Sequence, residues 1–126
     1  MDSDKIRKPA QLPEDLQRAF VPSANAGDVE GLVALYEPGA LLSIPGGKEA
    51  IGTEAIRAFY AELLANRPQF EPGEHQPVLR NGDLALTSSR LKDGTVTAEI
   101  ARQQPDGTWR WAIDQPSIAK SAIKNF

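Results

Sequence analysis

Residues 52–66, GTEAIRAFYAELLAN, constrain the fold more than any other stretch of this chain. Ile56, Phe59, Tyr60, Leu63 and Leu64 recur at the i, i+3, i+4, i+7, i+8 spacing of one helical face. Thr53 is placed to cap the first free N–H groups, Glu54 puts a negative charge at the positive end of the helix dipole, and Asn66, Arg67 and Pro68 stop the helix. So wide an apolar stripe must be buried. Almost everything after it reads as antiparallel strand, so the economical architecture is α+β, with this helix lying across a sheet.

Ahead of that helix, residues 1–11 are polar, carry Pro9 and show no period, which predicts a flexible arm before a single domain over 12–118. From Pro13 a first helix sets Leu16, Ala19, Phe20 and Ala24 on one face, and Pro22 predicts a kink or break between Phe20 and Ser23. Asp28 caps a second helix whose buried face is Val29, Leu32, Val33 and Tyr36, closed by Glu37, Pro38 and Gly39. Residues 40–44 read as a strand. Gly46, Gly47 and Lys48 lack the remaining glycines and the Ser or Thr of a phosphate loop, and read as a flexible pocket lip. After Pro68 come strands over 69–80 (interrupted at Pro72 and Gly73), 84–91, 96–104 and 109–117, with 119–126 as a tail. Asn81-Gly82-Asp83, Asp93-Gly94 and Pro105-Asp106-Gly107 are hairpin signals, so the last three strands form a meander.

Simple alternation along 96–104 sends Glu99 to solvent, but the turn argues otherwise. Pro105 and Asp106 suit the first two positions of a type I turn, and Gly107 suits the left-handed residue of a three-residue bulged loop. That pairs Gln104 with Thr108, Ala101 with Trp111 and Glu99 with Ile113, so Glu99 shares the inner face with both tryptophans. A two-residue turn at Asp93-Gly94 pairs Lys92 with Thr95, sets Leu86 beside Ala101 and Ser88 beside Glu99, and brings Arg90 diagonally near that carboxyl. The outer face then carries Ala98, Ile100 and Ala112 among Arg102, Arg110 and Asp114, which is apolar enough to predict a homodimer through it.

A length of 126 residues suits one domain, and no apolar run approaches the ~20 residues of a membrane-spanning helix. The start is charged and lacks a signal-like apolar stretch, and the chain has no cysteine, so the cytoplasm is the expected compartment. With net charge −3 and scattered Lys and Arg, no nucleic-acid footprint is expected. One histidine, His75, cannot make a metal site by itself, and no motif names a cofactor, so neither metal nor cofactor is expected.

At NAGDVEGLVALYEPGALLSI, GTEAIRAFYAELL and PDGTWRWAIDQPS the chain resembles the SnoaL-like and ketosteroid-isomerase-like group of the nuclear transport factor 2-like superfamily. The resemblance spans most of residues 13–117. It implies N-terminal helices on a strongly curved, mixed but mainly antiparallel sheet, a cone-shaped half-barrel with an internal pocket, commonly dimeric. It leaves the chemistry open, because this fold hosts isomerases, dehydratases, cyclases and binding modules. Carried over position by position, the ketosteroid-isomerase base falls on Ser43 and the oxyanion-binding tyrosine on Phe20, so both are missing. The second oxyanion donor falls on Glu99, which keeps a carboxyl group.

Two readings follow. In the first, the protein binds a small apolar or polyketide- or steroid-like molecule without catalysis. In the alternative, a small lyase, isomerase or cyclase uses Glu99 as its acid or base. Phe20, Tyr36, Ser43, Tyr60, Ser88, Arg90, Trp111, Ile113 and Gln115 are the expected pocket residues. For the aromatic ones the plain alternative is core packing.

Overall fold

The computed structural model describes residues 8–120. Within them α1 (Glu14–Asn25) and α2 (Val29–Val33) precede β1 (Tyr36–Ile44) and β2 (Lys48–Ile51), and α3 (Thr53–Leu64) follows. Then come β3 (Glu74–His75), β4 (Leu79–Asn81), β5 (Leu84–Thr87), β6 (Ser89–Arg90), β7 (Thr95–Gln103) and β8 (Trp109–Lys120). The sheet runs β2-β1-β8-β7-β5-β4, with β6 also paired to β7 and β3 to β6. Only β1 and β8 are parallel, so the sheet is mixed, open and mainly antiparallel. Helices and sheet form the α+β cone.

The constraining helix forms as its period demands, burying Ile56, Tyr60 and Leu64 with Phe59 and Leu63 half-buried beside them. Its N-cap is Gly52 at φ 93° rather than Thr53, and it ends at Leu64. α1 runs unbroken through Pro22. The proline is exposed, and the carbonyl it leaves unpaired, four residues back, belongs to exposed Arg18, where water can satisfy it. Asp28 caps α2 by accepting from Gly31 N at 3.1 Å. That helix ends at Val33, and Tyr36 opens β1 instead of closing the helix. Glu37, Pro38 and Gly39 lie inside β1 and take up a register shift between Tyr36 and Leu41. Gly46 and Gly47, both at positive φ, turn β1 into β2, so the expected pocket lip is a hairpin. Of the arm and tail expected at the two ends, residues 1–7 and 121–126 lie outside the described range. Ala10 is buried and accepts from Trp109 N at 2.9 Å, and β8 continues to Lys120.

Two registers position the site. Gln104 N donates to the Thr108 carbonyl at 2.6 Å around Pro105-Asp106-Gly107, with Gly107 at φ 87°, so Ala101 pairs with Trp111 as the turn predicts. Beyond that pair the strands slip: Ile100 faces Ile113 and Glu99 faces Asp114, which leaves Ala112 as an extra residue in β8. The other hairpin closes with Leu91 N donating to the Thr95 carbonyl. Its loop is therefore the three residues Lys92, Asp93 and Gly94, not two. Pairing shifts by one, so Thr87 instead of Ser88 stands beside Glu99, and Ala85 instead of Leu86 beside Ala101.

Those shifts redraw the outer face. Asp114 and Ala112 are buried, while Leu86 and Ile113 turn outward. Leu79, Leu86, Ile100, Ile113, Leu41 and Ile51 are consecutive cross-strand partners from β4 through β5, β7, β8 and β1 to β2. They form one apolar row across the outside of the sheet, four of its six members exposed.

Candidate functional site

The inner face gathers two carboxyl groups at the end of two hydrogen-bond chains. Glu99 and Asp114 face each other across β7 and β8 and are only 6 % and 5 % exposed. The Tyr36 hydroxyl from β1 donates to Asp114 Oδ2 at 2.5 Å, and the Tyr60 hydroxyl from α3 lies 2.6 Å from that of Tyr36. Because the single Tyr36 proton is engaged by Asp114, the Tyr60 hydroxyl is the donor in the tyrosine pair. In the second chain Trp111 Nε1 donates to Thr87 Oγ1 at 3.3 Å, and Thr87 Oγ1 donates to Glu99 Oε1 at 2.5 Å. Both chains run toward carboxylate oxygens.

Burial acts on every group here. It raises Asp114 to a pKa of about 7, helped by the neighbouring Glu99 charge and opposed by the Tyr36 hydrogen bond. Burial also raises Glu99, against the hydrogen bonds of Thr87 and Thr97. Tyr36 and Tyr60 are pushed well above the tyrosine range, first by burial and then by the charge of Asp114. Burial pushes both carboxyls toward their protonated forms, and Asp114, with its pKa near 7, keeps its proton well above the usual carboxylate range. One wall therefore holds a proton-bearing Asp114 beside a second buried carboxyl, Glu99.

Apolar groups flank it. Phe20 packs against Tyr60, Phe70 and Trp111 with ring centroids 6.3, 5.9 and 6.5 Å away, and Phe59 lies 5.2 Å from Tyr60. Phe20, Phe59, Leu63 and Phe70 are half-buried against the core, so the acid pair sits behind an aromatic rim. A groove of about 580 Å³ lies elsewhere, between α1, α2 and the start of β8, and holds none of the acid-pair residues.

Of the residues named from the sequence, the structure brings Glu99, Tyr36, Tyr60, Trp111 and Phe20 together. It separates the rest. Ile113 is 48 % exposed because the Ala112 bulge turns it out. Ser43 and Gln115 bond each other at 3.2 Å; each neighbours an inward residue, Leu42 or Asp114, and so stands on the opposite face. Ser88 donates its hydroxyl to the Thr97 carbonyl, away from Glu99, and Arg90 is exposed beside Glu74 and Val96. His75 is exposed on β3, and among the described residues no cluster of three or more His, Asp or Glu is arranged to hold a metal ion.

Asp114, Thr87, Ser89, Thr108 and Gln17 are interior polar residues that sequence reasoning did not place inside. Asp114 follows an inward Trp111 by an odd number of positions, which alternation assigns to solvent. The one available signal was an acid in mid-strand, between Ile113 and Gln115.

Residues 17–120 match the family model for the SnoaL-like domain. Solved structures share the fold. A ketosteroid isomerase-like protein from Erwinia carotovora atroseptica is 21 % identical, with 84 % of this chain and 93 % of that one covered at a TM-score of 0.62. A SnoaL-like protein of unknown function from Burkholderia thailandensis is 21 % identical, with 80 % and 89 % covered and a TM-score of 0.57. A candidate dehydratase of the NTF2-like family from Streptomyces avermitilis is 20 % identical, with 84 % and 94 % covered and a TM-score of 0.61.

Proposed function

Since the chain belongs to the SnoaL-like domain family, we propose that it binds a small apolar, polyketide- or steroid-like ketone behind the aromatic rim and moves a proton on it with the Glu99–Asp114 pair. The observation that carries this is the convergence of the Tyr60–Tyr36–Asp114 and Trp111–Thr87–Glu99 chains on two adjacent buried carboxyls. Protonated Asp114 donates a hydrogen bond to the ligand carbonyl oxygen. Ionised Glu99 takes a proton from the carbon next to it, and the electron pair moves onto that oxygen. Return of the proton at another carbon is an isomerisation; loss of hydroxide from the β carbon is a dehydration. The relatives described as isomerase-like or as a candidate dehydratase are compatible with either outcome. The ketosteroid-isomerase base position remains Ser43, on the other face of the sheet, so the base in this scheme is Glu99.

The experiment is hydrogen–deuterium exchange at the carbons beside the carbonyl of 2-tetralone in D2O, followed by proton NMR. The protein accelerates the exchange, and Glu99→Gln or Asp114→Asn slows it by about 100-fold or more. Exchange at the buffer rate with wild-type protein, or at the wild-type rate with both variants, overturns the reading.

Binding without catalysis is the second reading, favoured by the small exposure of Glu99 and Asp114; in that case the chains pin α3 to the sheet and the ketone binds without exchange. On either reading we propose a homodimer through the apolar row from Leu79 to Ile51, because so continuous a row is apolar enough to call for cover by an identical face. A cytoplasmic setting suits a chain without cysteine.

A further inference from the structure

One side of this site ends at an amide with half of its hydrogen-bonding capacity unused. Gln17 on α1 is 6 % exposed. Its Nε2 donates to the Ser88 carbonyl at 3.0 Å and to Ser89 Oγ at 3.0 Å. A carbonyl only accepts, so the amide orientation is settled, and Oε1 points away from both partners. Among the described residues that oxygen has no donor, although folded chains leave few buried acceptors unpaired.

Its surroundings belong to the acid pair. Ser89 is two residues from Thr87 on the same inward side, about 7 Å along the strand, and Thr87 holds Glu99. Phe20, three residues further on the same helix face, closes on Tyr60 and Trp111. Gln17 thus bonds the strand segment that follows Thr87 and shares its helix face with the rim residue Phe20.

We propose that Gln17 is the specificity-determining residue of this site: its Oε1 accepts a hydrogen bond from an O–H or N–H at the far end of a ligand whose carbonyl oxygen meets Asp114. The inference rests on the proposed ketone site. It narrows the ligand class to hydroxylated or amino-bearing aromatic or polycyclic ketones. An isostere carrying a methyl group at that end presses hydrocarbon against an unpaired acceptor and is discriminated against.

The test measures binding of 6-hydroxy-2-tetralone and 6-methyl-2-tetralone by titration calorimetry with wild type, Gln17→Met and Asp114→Asn. Wild type prefers the hydroxy probe by about tenfold or more, and Gln17→Met brings the ratio close to one. Asp114→Asn weakens both probes together. If both probes bind and depend on Asp114 but their ratio is indifferent to Gln17→Met, the role of Gln17 is overturned while the ketone site stands. If the probes ignore Asp114, or neither binds at millimolar concentration, the ketone site fails and the inference falls with it. Should Gln17→Met not fold, a crystal structure of wild type with the hydroxy probe decides. The probe hydroxyl within hydrogen-bond distance of Oε1 supports the inference, and an ordered water retained there overturns it.

Discussion

Replacing Asp114 by asparagine should make the protein more stable, and by clearly more at pH 8 than at pH 5. Burial, and then the neighbouring Glu99 charge, raise the Asp114 pKa in the folded chain from an ordinary 3.8 to about 7. Between those two pH values the folded state holds a proton that the unfolded chain has released, so stability falls as pH rises, at 1.36 kcal/mol per pH unit. Across that window the loss is about 4 kcal/mol, a large part of the 5–15 kcal/mol that holds an ordinary domain together. Glu99, also raised, adds loss of the same sign. The exposed Asp93 and Asp106 are lowered by their turn hydrogen bonds, which acts in the opposite sense but with solvent screening both groups.

Asparagine keeps an acceptor for the Tyr36 hydroxyl and offers an N–H toward Glu99, and it carries no charge to bury. Urea unfolding followed by the fluorescence of Trp109 and Trp111 at pH 5, 6, 7 and 8 measures both proteins. Only the two pH units from 5 to 7 lie both in the titration window and in this series, worth about 3 kcal/mol, so with an m-value of about 1.5 kcal/mol per molar urea the wild-type midpoint should drop by roughly 2 M across it. Asp114→Asn should lose most of that slope. A flat wild-type profile, or an equally steep one in the variant, would refute the buried-acid argument and with it the protonated Asp114 of the proposed scheme.

Two further outcomes follow from the same geometry. Tyr36→Phe removes the donor to Asp114 and the acceptor of Tyr60, so it should destabilise by about 1–3 kcal/mol, more at pH 8 than at pH 5. Carboxyl NMR should show Asp114 titrating still higher, because the lost bond is what held it down. On the outer face, Ile113→Lys puts a charge in the middle of the apolar row; sedimentation should show a dimer in wild type and a monomer in the variant, with the same far-ultraviolet circular dichroism. A wild-type monomer at micromolar concentration removes the dimer.

How far the site was legible depends on whether each residue was fixed by a local signal. The period of α3 placed Tyr60 inward, and Pro105-Asp106-Gly107 carried the β7–β8 register as far as Ala101 and Trp111. Glu99 then faces inward whatever happens next, because the extra residue lies in β8 and leaves the alternation of β7 intact. Tyr36 came out buried for a different reason. Val29, Leu32, Val33 and Tyr36 fit a helical face, yet the chain leaves the helix at Val33 and delivers the tyrosine from the start of β1. The loop at Asp93-Gly94 is one residue longer than the dipeptide suggests because Lys92 joins it, and nothing in the dipeptide separates a two-residue loop from the last two residues of a three-residue one.

Asp114 was hidden more deeply. In a regular strand, the inward position after Trp109 and Trp111 is Ile113, and the interior there would be hydrocarbon. Ala112, small enough to be buried directly after Trp111, allows the strand to take one extra residue, and that single insertion exchanges an isoleucine for a carboxyl at the centre of the cone. The same step sends Ile113 outward to complete the row with Ile100 and Leu41. One bulge therefore sets both the acid pair inside and the apolar row outside, and restoring regular alternation there would remove both at once.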